Sequence, residues 1–280
     1  MKRRKSNQAF AAMSVGLAAA TLAVTALRAY AQDTATNSTA VPATPSEVSS
    51  PESRGEGAWQ FGVTLPIWAP QIDGDVTVHG HKEDVNISFH QLKDHLDASF
   101  SLGLQAQKDR FGLFASGSYM KFSGNFGPDS AELKFGIVNA GLSYVLLKAG
   151  EERPLILAAT AGIRYWYADE SVTIVDQNGV FRGSKTENLY DPVIGLIGSQ
   201  YLMRKLHLDL QADVGGFDIS HDTDLTWSAT GVLSYDPFKW LTLSAGYSAL
   251  ALNESEGSGA SKNELNLIFH GALIKVRVNF

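Results

Sequence analysis

The last seven residues of the chain, Ile274-Lys275-Val276-Arg277-Val278-Asn279-Phe280, decide the fold class. Apolar side chains occupy every second position, which is the period of a β-strand with two different faces. In a membrane, a lysine or arginine facing lipid near the midplane costs about 2–4 kcal/mol. We therefore expect the two cations to face the interior of a closed sheet. The apolar side chains then face lipid: Ile274, Val276, Val278 and Phe280.

The carboxyl-terminal residue of this segment is aromatic. An aromatic end preceded by alternating apolar residues resembles the terminal assembly signal of bacterial outer-membrane barrels. The four apolar residues are therefore predicted to form an assembly signal, with the barrel assembly machinery as a partner through this strand. Outer-membrane lipid is the second predicted partner, and the oligomeric state is left open.

The same alternation recurs in earlier segments. Apolar residues alternate with polar ones over Leu206–Val214, and with Thr, Ser and Gly over Leu241–Ala249. A soluble sandwich of two sheets shows this pattern too, so alternation alone leaves both folds open. The lengths of the connections and the placement of aromatic residues favour the barrel.

Short and long connections alternate along the chain. Short ones are predicted near 108–110, 148–154, 203–205 and 236–238, and long polar ones near 66–96, 123–130, 169–189 and 253–263. Short periplasmic turns opposite long outer loops are typical of outer-membrane barrels. The connection near 218–222 is short for its side, so the pattern is imperfect.

Aromatic residues cluster where the strands are predicted to end. The clusters are Tyr165, Trp166 and Tyr167; Tyr235, Phe238 and Trp240; and Trp59 with Trp68. Amphipathic rings favour the membrane interface. These residues are therefore predicted to form the aromatic belts of the barrel.

Together, these features predict an all-β fold, an antiparallel transmembrane β-barrel of about ten strands, each long enough to cross with about 9–11 residues. The strands are predicted near 57–67, 97–107, 110–121, 132–147, 154–167, 190–203, 206–217, 223–235, 239–251 and 264–280. An even number places both chain ends in the periplasm. Eight or twelve strands stay open, because Val76–Ile87 can add a hairpin arm and the phase of Val193–Gln200 is ambiguous.

A short helix is predicted in the first long loop. Ser88 followed by Gln91 is the pattern of a capping box, and Phe89, Leu92 and Leu96 then share one side of the helix. Two interpretations are open. The helix plugs the lumen, or it packs on the rim of the barrel.

The amino terminus has the order of a secretory signal peptide. Basic residues 2–5 precede an uncharged stretch from Ser6 to Leu27, and the triplet Ala29-Tyr30-Ala31 predicts cleavage after residue 31. An uncleaved membrane anchor is the alternative, since about 18 apolar residues suffice to span a bilayer. Residues 32–56 contain almost nothing large and apolar, which predicts a disordered periplasmic leader. The barrel is predicted to occupy 57–280.

Charge and cysteine content exclude several classes of function. The chain has 23 basic and 29 acidic residues, and removal of the signal peptide leaves 18 basic and 29 acidic, a net charge of −11. Nucleic-acid binding needs a concentrated basic patch, so no nucleic-acid partner is expected. The sequence has no cysteine, which excludes disulfides, Cys-ligated metals and lipid attachment at a cysteine.

Five segments carry a resemblance to known proteins: Asp84–Leu96, Arg110–Tyr119, Gly162–Trp166, Asp191–Gly195 and Gly215–Trp227. They resemble the recurring blocks of a widespread family of small bacterial outer-membrane β-barrels. Members of that family are functionally uncharacterised. The resemblance therefore implies the fold and a location in the outer membrane of a Gram-negative cell, and no activity. Ile197 departs from the family, which has a polar or basic residue there.

Five charged residues take the inward phase of their predicted strands: Arg164, Asp209, Asp213, Lys275 and Arg277. Charges of both signs in a narrow barrel pair with one another, because a buried charge without a partner is costly. A structural charge network is therefore predicted in the lumen. The alternative is an ion or solute path lined by these residues.

A second candidate cluster consists of His221 with the carboxylates of Asp218, Asp222 and Asp224. A histidine beside carboxylates can bind a metal or activate water. No spacing in the chain matches a zinc site, a phosphate-binding loop or a serine nucleophile elbow. These residues, like the pair His79 and His81, are better interpreted as solvated loop residues. No catalytic residue, metal or cofactor is predicted.

Two hypotheses of function follow. The first is a structural barrel or a narrow, plugged pore without enzymatic activity, because ten strands enclose little more space than the roughly eight whose side chains just fill the interior. The second is a surface-exposed barrel enzyme that modifies lipid or peptide through His221 and its neighbouring carboxylates.

Overall fold

The computed structural model describes residues 57–78, 80–126, 129–176, 179–217, 224–256 and 262–280. The predicted signal peptide and leader lie outside these ranges, as do His79 and the residues 218–223 of the second candidate cluster. Within the described part of the chain, no helix is long and apolar enough to cross a membrane.

The described residues form antiparallel strands and one short helix. The strands are β1 (Gln60–Val78), β2 (His81–Ile87), β3 (Leu96–Lys108), β4 (Phe111–Phe126), β5 (Asp129–Ala149), β6 (Leu155–Asp176), β7 (Gly179–Met203), β8 (Leu206–Gly216), β9 (Leu225–Phe238), β10 (Leu241–Glu256) and β11 (Asn263–Asn279). The helix is α1 (Phe89–Asp94).

Ten of these strands form a closed barrel wall, as predicted. From β3 to β11 each strand pairs with the next, and β11 pairs back with β1 from Gly62↔Asn279 to Thr77↔Glu264. Closure of the sheet removes unpaired strand edges, whose backbone N–H and C=O groups would find no hydrogen-bond partner in a bilayer. The end of the barrel that carries Gln60 and Phe280 is called the short-turn end here, and the opposite end is called the outer end.

β1 has two successive neighbours on the side away from β11. It pairs with β3 as far as Thr64↔Gly103, and with β2 from Ile72↔Ile87 onward. The intervening residues, Leu65–Gln71, lie at a fork between β2 and β3. β2 is thus the hairpin arm that the sequence left open, and it adds no strand to the wall.

Several strands continue far beyond the length needed to cross a membrane. β5, β6 and β7 have 21, 22 and 25 residues. The long loops expected at 123–130 and 169–189 are therefore wrong, since the β6–β7 ladder runs to Asp176↔Gly179. Both faces of this hairpin carry polar and charged side chains, so the alternation fades although the backbone still pairs. We call residues 129–134, 167–176 and 179–188 the outer extension.

The two faces of the wall differ in character. Large apolar side chains are exposed on the outside all round the barrel, among them Ile67, Phe100, Leu142, Ile163, Ile194, Leu210, Leu233 and Ile274. The inward positions of the same strands are buried and mostly polar, with many Ser and Thr residues. An apolar exterior around a polar interior is the pattern of a transmembrane barrel.

Aromatic residues form an exposed belt near the short-turn end. It includes Trp59, Phe61, Phe111, Tyr144, Tyr235, Phe238, Trp240 and Phe280. Toward the outer end, the rings of Tyr165 and Tyr190 pack at a tilt with their centroids 4.9 Å apart. The expectation that Trp68 and Trp166 belong to the belts is wrong, because both are buried inside the barrel, at 2% and 3% exposure. Their even numbers give them the inward phase of β1 and β6.

The predicted capping box is present at the start of α1. The backbone N–H of Gln91 donates to Ser88 Oγ, and the backbone N–H of Ser88 donates to Gln91 Oε1. None of the six helical residues is buried, and the helix contacts β1. The structure therefore supports the rim position rather than the plug.

Candidate functional site in the barrel interior

An apolar layer fills the interior toward the outer end. Seven buried side chains from six strands form it: Trp68, Ile137, Trp166, Val232, Leu250, Leu252 and Leu273. Phe135, Leu189, Leu265 and Phe269 pack against this layer. Because its members come from strands on all sides of the wall, they meet across the lumen.

Two tryptophans anchor the apolar layer, and each has a hydrogen-bond partner for its indole. Trp68 Nε1 donates to the backbone oxygen of Gly271 at 3.1 Å, and Trp166 Nε1 donates to Asp191 Oδ2 at 2.7 Å. A buried indole N–H without an acceptor is costly. These bonds fix both rings in place in the lumen.

Arg164 lies at the centre of a polar layer next to the tryptophans. Its Nη2 donates to Asp213 Oδ1 at 2.7 Å, its Nε donates to Asn139 Oδ1 at 2.8 Å, and its Nη1 donates to Thr226 Oγ1 at 3.3 Å. The guanidinium also lies 5.8 Å from the centroid of the Trp166 ring. One cation thus ties together four strands, β5, β6, β8 and β9.

A glycine makes room for this contact. Gly195 of β7 lies between β6 and β8, opposite Asp213 on one side and Thr160 on the other. A Cβ atom at this position would lie 2.8 Å from both Asp213 Cβ and Thr160 Oγ1. The absence of a side chain therefore allows the Asp213 carboxylate to reach across to Arg164.

A second polar group lies nearer the short-turn end, around His207. Its Nδ1 is 2.8 Å from Asp209 Oδ1, and its Nε2 is 3.3 Å from Asp236 Oδ2. The ring of Tyr201 stacks on the imidazole with centroids 4.7 Å apart. Asp209 also accepts hydrogen bonds from Ser199 and Ser234. The histidine is therefore held between two carboxylates.

All five residues of the predicted charge network lie inside the barrel, with exposures of 1% for Arg164, 3% for Asp209, 8% for Asp213, 4% for Lys275 and 2% for Arg277. The structure brings them together in two groups. Arg164 and Asp213 form one, and Asp209 with Lys275, which interact electrostatically, belong to the other. Arg277 lies two residues beyond Lys275 toward the short-turn end, opposite Thr242.

A cavity of about 20 Å³ lies next to Arg164, lined also by Asn139, Thr160, Gln211 and Asp213. A space of this size holds about one water molecule. A third layer of apolar side chains, Val145, Ile156, Ala158 and Ile197, fills the β5–β7 side nearer the short-turn end. The aliphatic residue that departs from the resembled family, Ile197, packs in this layer.

The outer extension carries charges on its exterior. Lys134 Nζ lies 3.1 Å from both Glu132 and Asp169, and Lys121 Nζ lies 2.7 Å from Glu132. Hydrogen bonds to Asp169 and Glu132 raise the pKa of Lys134. Hydrogen bonds from Lys121 and then Lys134 lower the pKa of Glu132, and the hydrogen bond from Lys134 lowers the pKa of Asp169. Such a ladder of exposed ion pairs belongs in water, so the extension stands clear of the apolar wall.

Glu170 is a carboxylate of this extension whose pKa is raised rather than lowered. Burial raises its pKa to about 7, and the neighbouring Glu187 adds to the rise while Lys185 opposes it. Glu170 pairs with Lys185 in the β6–β7 ladder. Its ionisation near neutral pH therefore bears on the stability of this hairpin.

The second candidate cluster cannot be assembled from the described residues, because Asp218, His221 and Asp222 lie outside them. Asp224 is described, and its Oδ2 accepts a hydrogen bond of 2.6 Å from Ser255. Among described residues, no group of three or more His, Asp or Glu side chains could hold a metal ion. The role of His221 stays a prediction.

Sequence reasoning missed several interior residues. Trp68, Trp166, Asp191 and His207 are each 3% exposed or less. The alternation could have placed all four inside the barrel. In each case the residue number is odd or even like that of the inward residues of the same strand. The interpretation of tryptophan as an interface residue outweighed the parity.

No protein-family model matches the chain, and no curated protein matches it. Solved structures that are similar to it include the outer membrane protease OmpT from Escherichia coli, at 12% identity, 79% of this chain, 96% of that chain and TM-score 0.45. The translocator domain of the autotransporter NalP from Neisseria meningitidis shares 15% identity over 81% of this chain and 90% of that chain, with TM-score 0.45. The attachment invasion locus protein Ail of Yersinia pestis shares 12% identity over 81% of this chain and 100% of that chain, with TM-score 0.34.

Similarities at this level carry no property of those proteins over to this chain. The outer-membrane β-barrel fold follows from the closed wall, the apolar exterior and the polar interior of the chain itself. Membership of the resembled family stays a prediction.

Proposed function

We propose that this protein is a non-enzymatic barrel of the Gram-negative outer membrane whose lumen is plugged by its own side chains. It acts as a membrane-embedded support for the outer extension and not as an open pore. The observation that carries the proposal is the apolar layer around Trp68 and Trp166, which fills the lumen immediately beside the Arg164 network.

The barrel size explains why side chains suffice as a plug. About eight strands enclose just enough room for their own side chains. Ten strands enclose slightly more, and here two tryptophans and an arginine occupy the added space. A helix folded into the lumen is not required, and α1 contacts β1 without burying a residue.

The proposed location and orientation rest on the two ends of the barrel. Gln60 and Phe280 lie at the same end, where the strands turn back beside the aromatic belt, whereas β5, β6 and β7 extend beyond the apolar wall at the other end. Barrels of this class project farther on the outer side than on the periplasmic side, so the proposal places both chain ends in the periplasm. The outward row Ile274, Val276, Val278 and Phe280 lies on the last strand, where the assembly machinery would engage it.

A liposome-swelling assay with a small sugar tests the plug. Vesicles that contain the refolded wild-type protein should swell no faster than empty vesicles. The double variant Trp68→Ala and Trp166→Ala should swell faster, because it removes the two largest side chains of the apolar layer. The matched control, Trp59→Ala and Trp240→Ala, removes two exposed tryptophans of the aromatic belt and should behave as the wild type. Rapid swelling by the wild type contradicts the proposal.

A further inference from the structure

A polar cluster interrupts the outer wall of the barrel where β1, β10 and β11 meet. His270 Nε2 lies 2.7 Å from Asp73 Oδ2, and His270 Nδ1 lies 2.6 Å from the hydroxyl of Tyr247. Gln71 Nε2 donates to Asp73 Oδ2 at 3.2 Å, and Asn86 Nδ2 donates to Asp73 Oδ1. We call these five residues the outer-wall cluster.

The outer-wall cluster faces away from the lumen. On β11, Ile274 is exposed on the outside and Lys275 is buried inside, and His270 has the parity of Ile274. Tyr247 is 51% exposed. The side chains of His270 and Asp73 are 24% and 33% exposed. The cluster is therefore open to whatever surrounds the barrel.

The position of the outer-wall cluster along the barrel axis matches the outer boundary of the apolar band. His270 precedes Phe280, which belongs to the aromatic belt near the short-turn end, by ten residues. At about 3.3 Å per residue and a strand tilt of about 40°, this distance corresponds to a rise of about 25 Å. The apolar band of an outer-membrane barrel is about 25 Å tall. The cluster thus lies level with the headgroups of the outer leaflet.

An apolar surface lies directly below the cluster. Going down β1 from Gln71, the outward side chains are Ala69, Ile67 and Leu65, and the last two are about half exposed. Phe100 of β3, on the other side of the fork, is 62% exposed. Acyl chains can therefore lie against this surface while their headgroup meets the cluster.

The chemistry of the cluster selects the type of headgroup. It offers two amides, a carboxylate, an imidazole and a phenol, which together donate and accept hydrogen bonds. It contains no lysine or arginine, and Asp73 balances any charge on His270, so a phosphate gains little attraction there. The exposed ring of Tyr247 adds a flat apolar face. Sugar hydroxyls with an apolar ring face fit this set.

We propose that the outer-wall cluster binds the neutral sugar headgroup of a glycolipid in the outer leaflet. Nε2–H of His270 donates to Asp73, which leaves Nδ1 to accept the Tyr247 hydroxyl proton. The phenol oxygen then presents its lone pairs to a sugar hydroxyl. Asp73 acts as a positioning residue, since it holds the imidazole that orients Tyr247.

Native mass spectrometry of the refolded full chain in detergent tests the proposal. The added lipids are a diacylglycerol with one neutral hexose and a phosphatidylglycerol with the same acyl chains, and free hexose is a third ligand. The hexose lipid should bind about tenfold more tightly than the other two. Tyr247→Phe should weaken it about tenfold, the effect of one hydrogen bond. Asp73→Asn should weaken it less.

Tyr235→Phe is the matched control. Tyr235 is 47% exposed in the aromatic belt near the short-turn end, so its hydroxyl lies far from the outer-wall cluster. It should leave binding unchanged. Each variant must first show the same difference in gel migration between boiled and unboiled samples as the wild type. Equal binding of the two lipids, equal binding of free hexose, no binding of the hexose lipid, or an unchanged Tyr247→Phe variant overturns the proposal.

Discussion

Arg164 of β6 and Asp213 of β8 form a buried ion pair of 2.7 Å that reaches across the intervening strand β7. Both side chains are almost fully buried. Gly195 leaves the space through which they meet. The pair therefore depends on three strands being in their correct register.

Removal of one partner of this pair should be costly. Asp213→Ala leaves the guanidinium of Arg164 buried without its carboxylate, and we expect a loss of about 3–5 kcal/mol in the free energy of unfolding. The double variant Arg164→Met and Asp213→Leu should recover most of this loss, because no charge is left buried. Urea unfolding in detergent micelles, followed by tryptophan fluorescence, measures both. An Asp213→Ala variant as stable as the wild type contradicts the network.

The facing of the last strand predicts an order of damage for two adjacent substitutions. Val276→Arg places a charge in lipid at a cost of about 2–4 kcal/mol, depending on depth. Arg277→Ala changes an interior position that water and neighbouring hydroxyls can adjust to. The fraction folded in lipid vesicles should therefore be lower for Val276→Arg. The reverse order would show that the facing is wrong.

Much of the wall could be read from alternation in the sequence. Strands such as Leu206–Gly216 have one apolar and one polar face, since lipid lies on one side and the lumen on the other. The pattern could not give the full length of β6 and β7. Within the outer extension both faces carry polar or charged residues, so residues such as Ser171, Thr173 and Ser184 do not show which face points inward.

The candidate site was only partly predictable for a related reason. The alternation along each strand placed Arg164, Asp213 and Lys275 inside the barrel. The partners of these side chains, however, depend on the register between strands that are far apart in sequence. Asn139 and Thr226, which complete the Arg164 site, lie 25 and 62 residues away in sequence. Trp68 donates to Gly271 of the neighbouring strand β11, which is 203 residues away in sequence. No local pattern encodes such pairs.

The outer extension should become less stable as the pH rises. The pKa of Glu170 increases from 4.5 to about 7 on folding. Between these values the folded state binds more protons than the unfolded state, so stability falls with increasing pH. Hydrogen exchange of peptides covering 167–188 should show more protection at pH 5 than at pH 8, after correction for intrinsic rates. Glu170→Gln should remove this difference, and a pH effect that persists in the variant contradicts the assignment.

The non-enzymatic proposal predicts that His221 is dispensable. A general acid or base contributes about 10²- to 10⁴-fold to a rate, so a catalytic His221 would be visible in an assay with lipid and peptide substrates. We expect His221→Ala and the control His81→Ala to match the wild type at equal folded fraction. A reproducible loss in His221→Ala alone would favour the enzyme hypothesis, with Asp218, Asp222 or Asp224 as the partner.

Single-channel recording in a planar lipid bilayer tests the plugged lumen most directly. Full-length protein is refolded, shown to be inserted by its shifted gel migration before boiling, and then held at a constant voltage in concentrated salt. The packed layers around Trp68, Trp166 and Arg164 predict no steady conductance from inserted wild-type barrels. Stable, stepwise conductance that scales with the number of inserted wild-type barrels would contradict the account and make the lumen a pore.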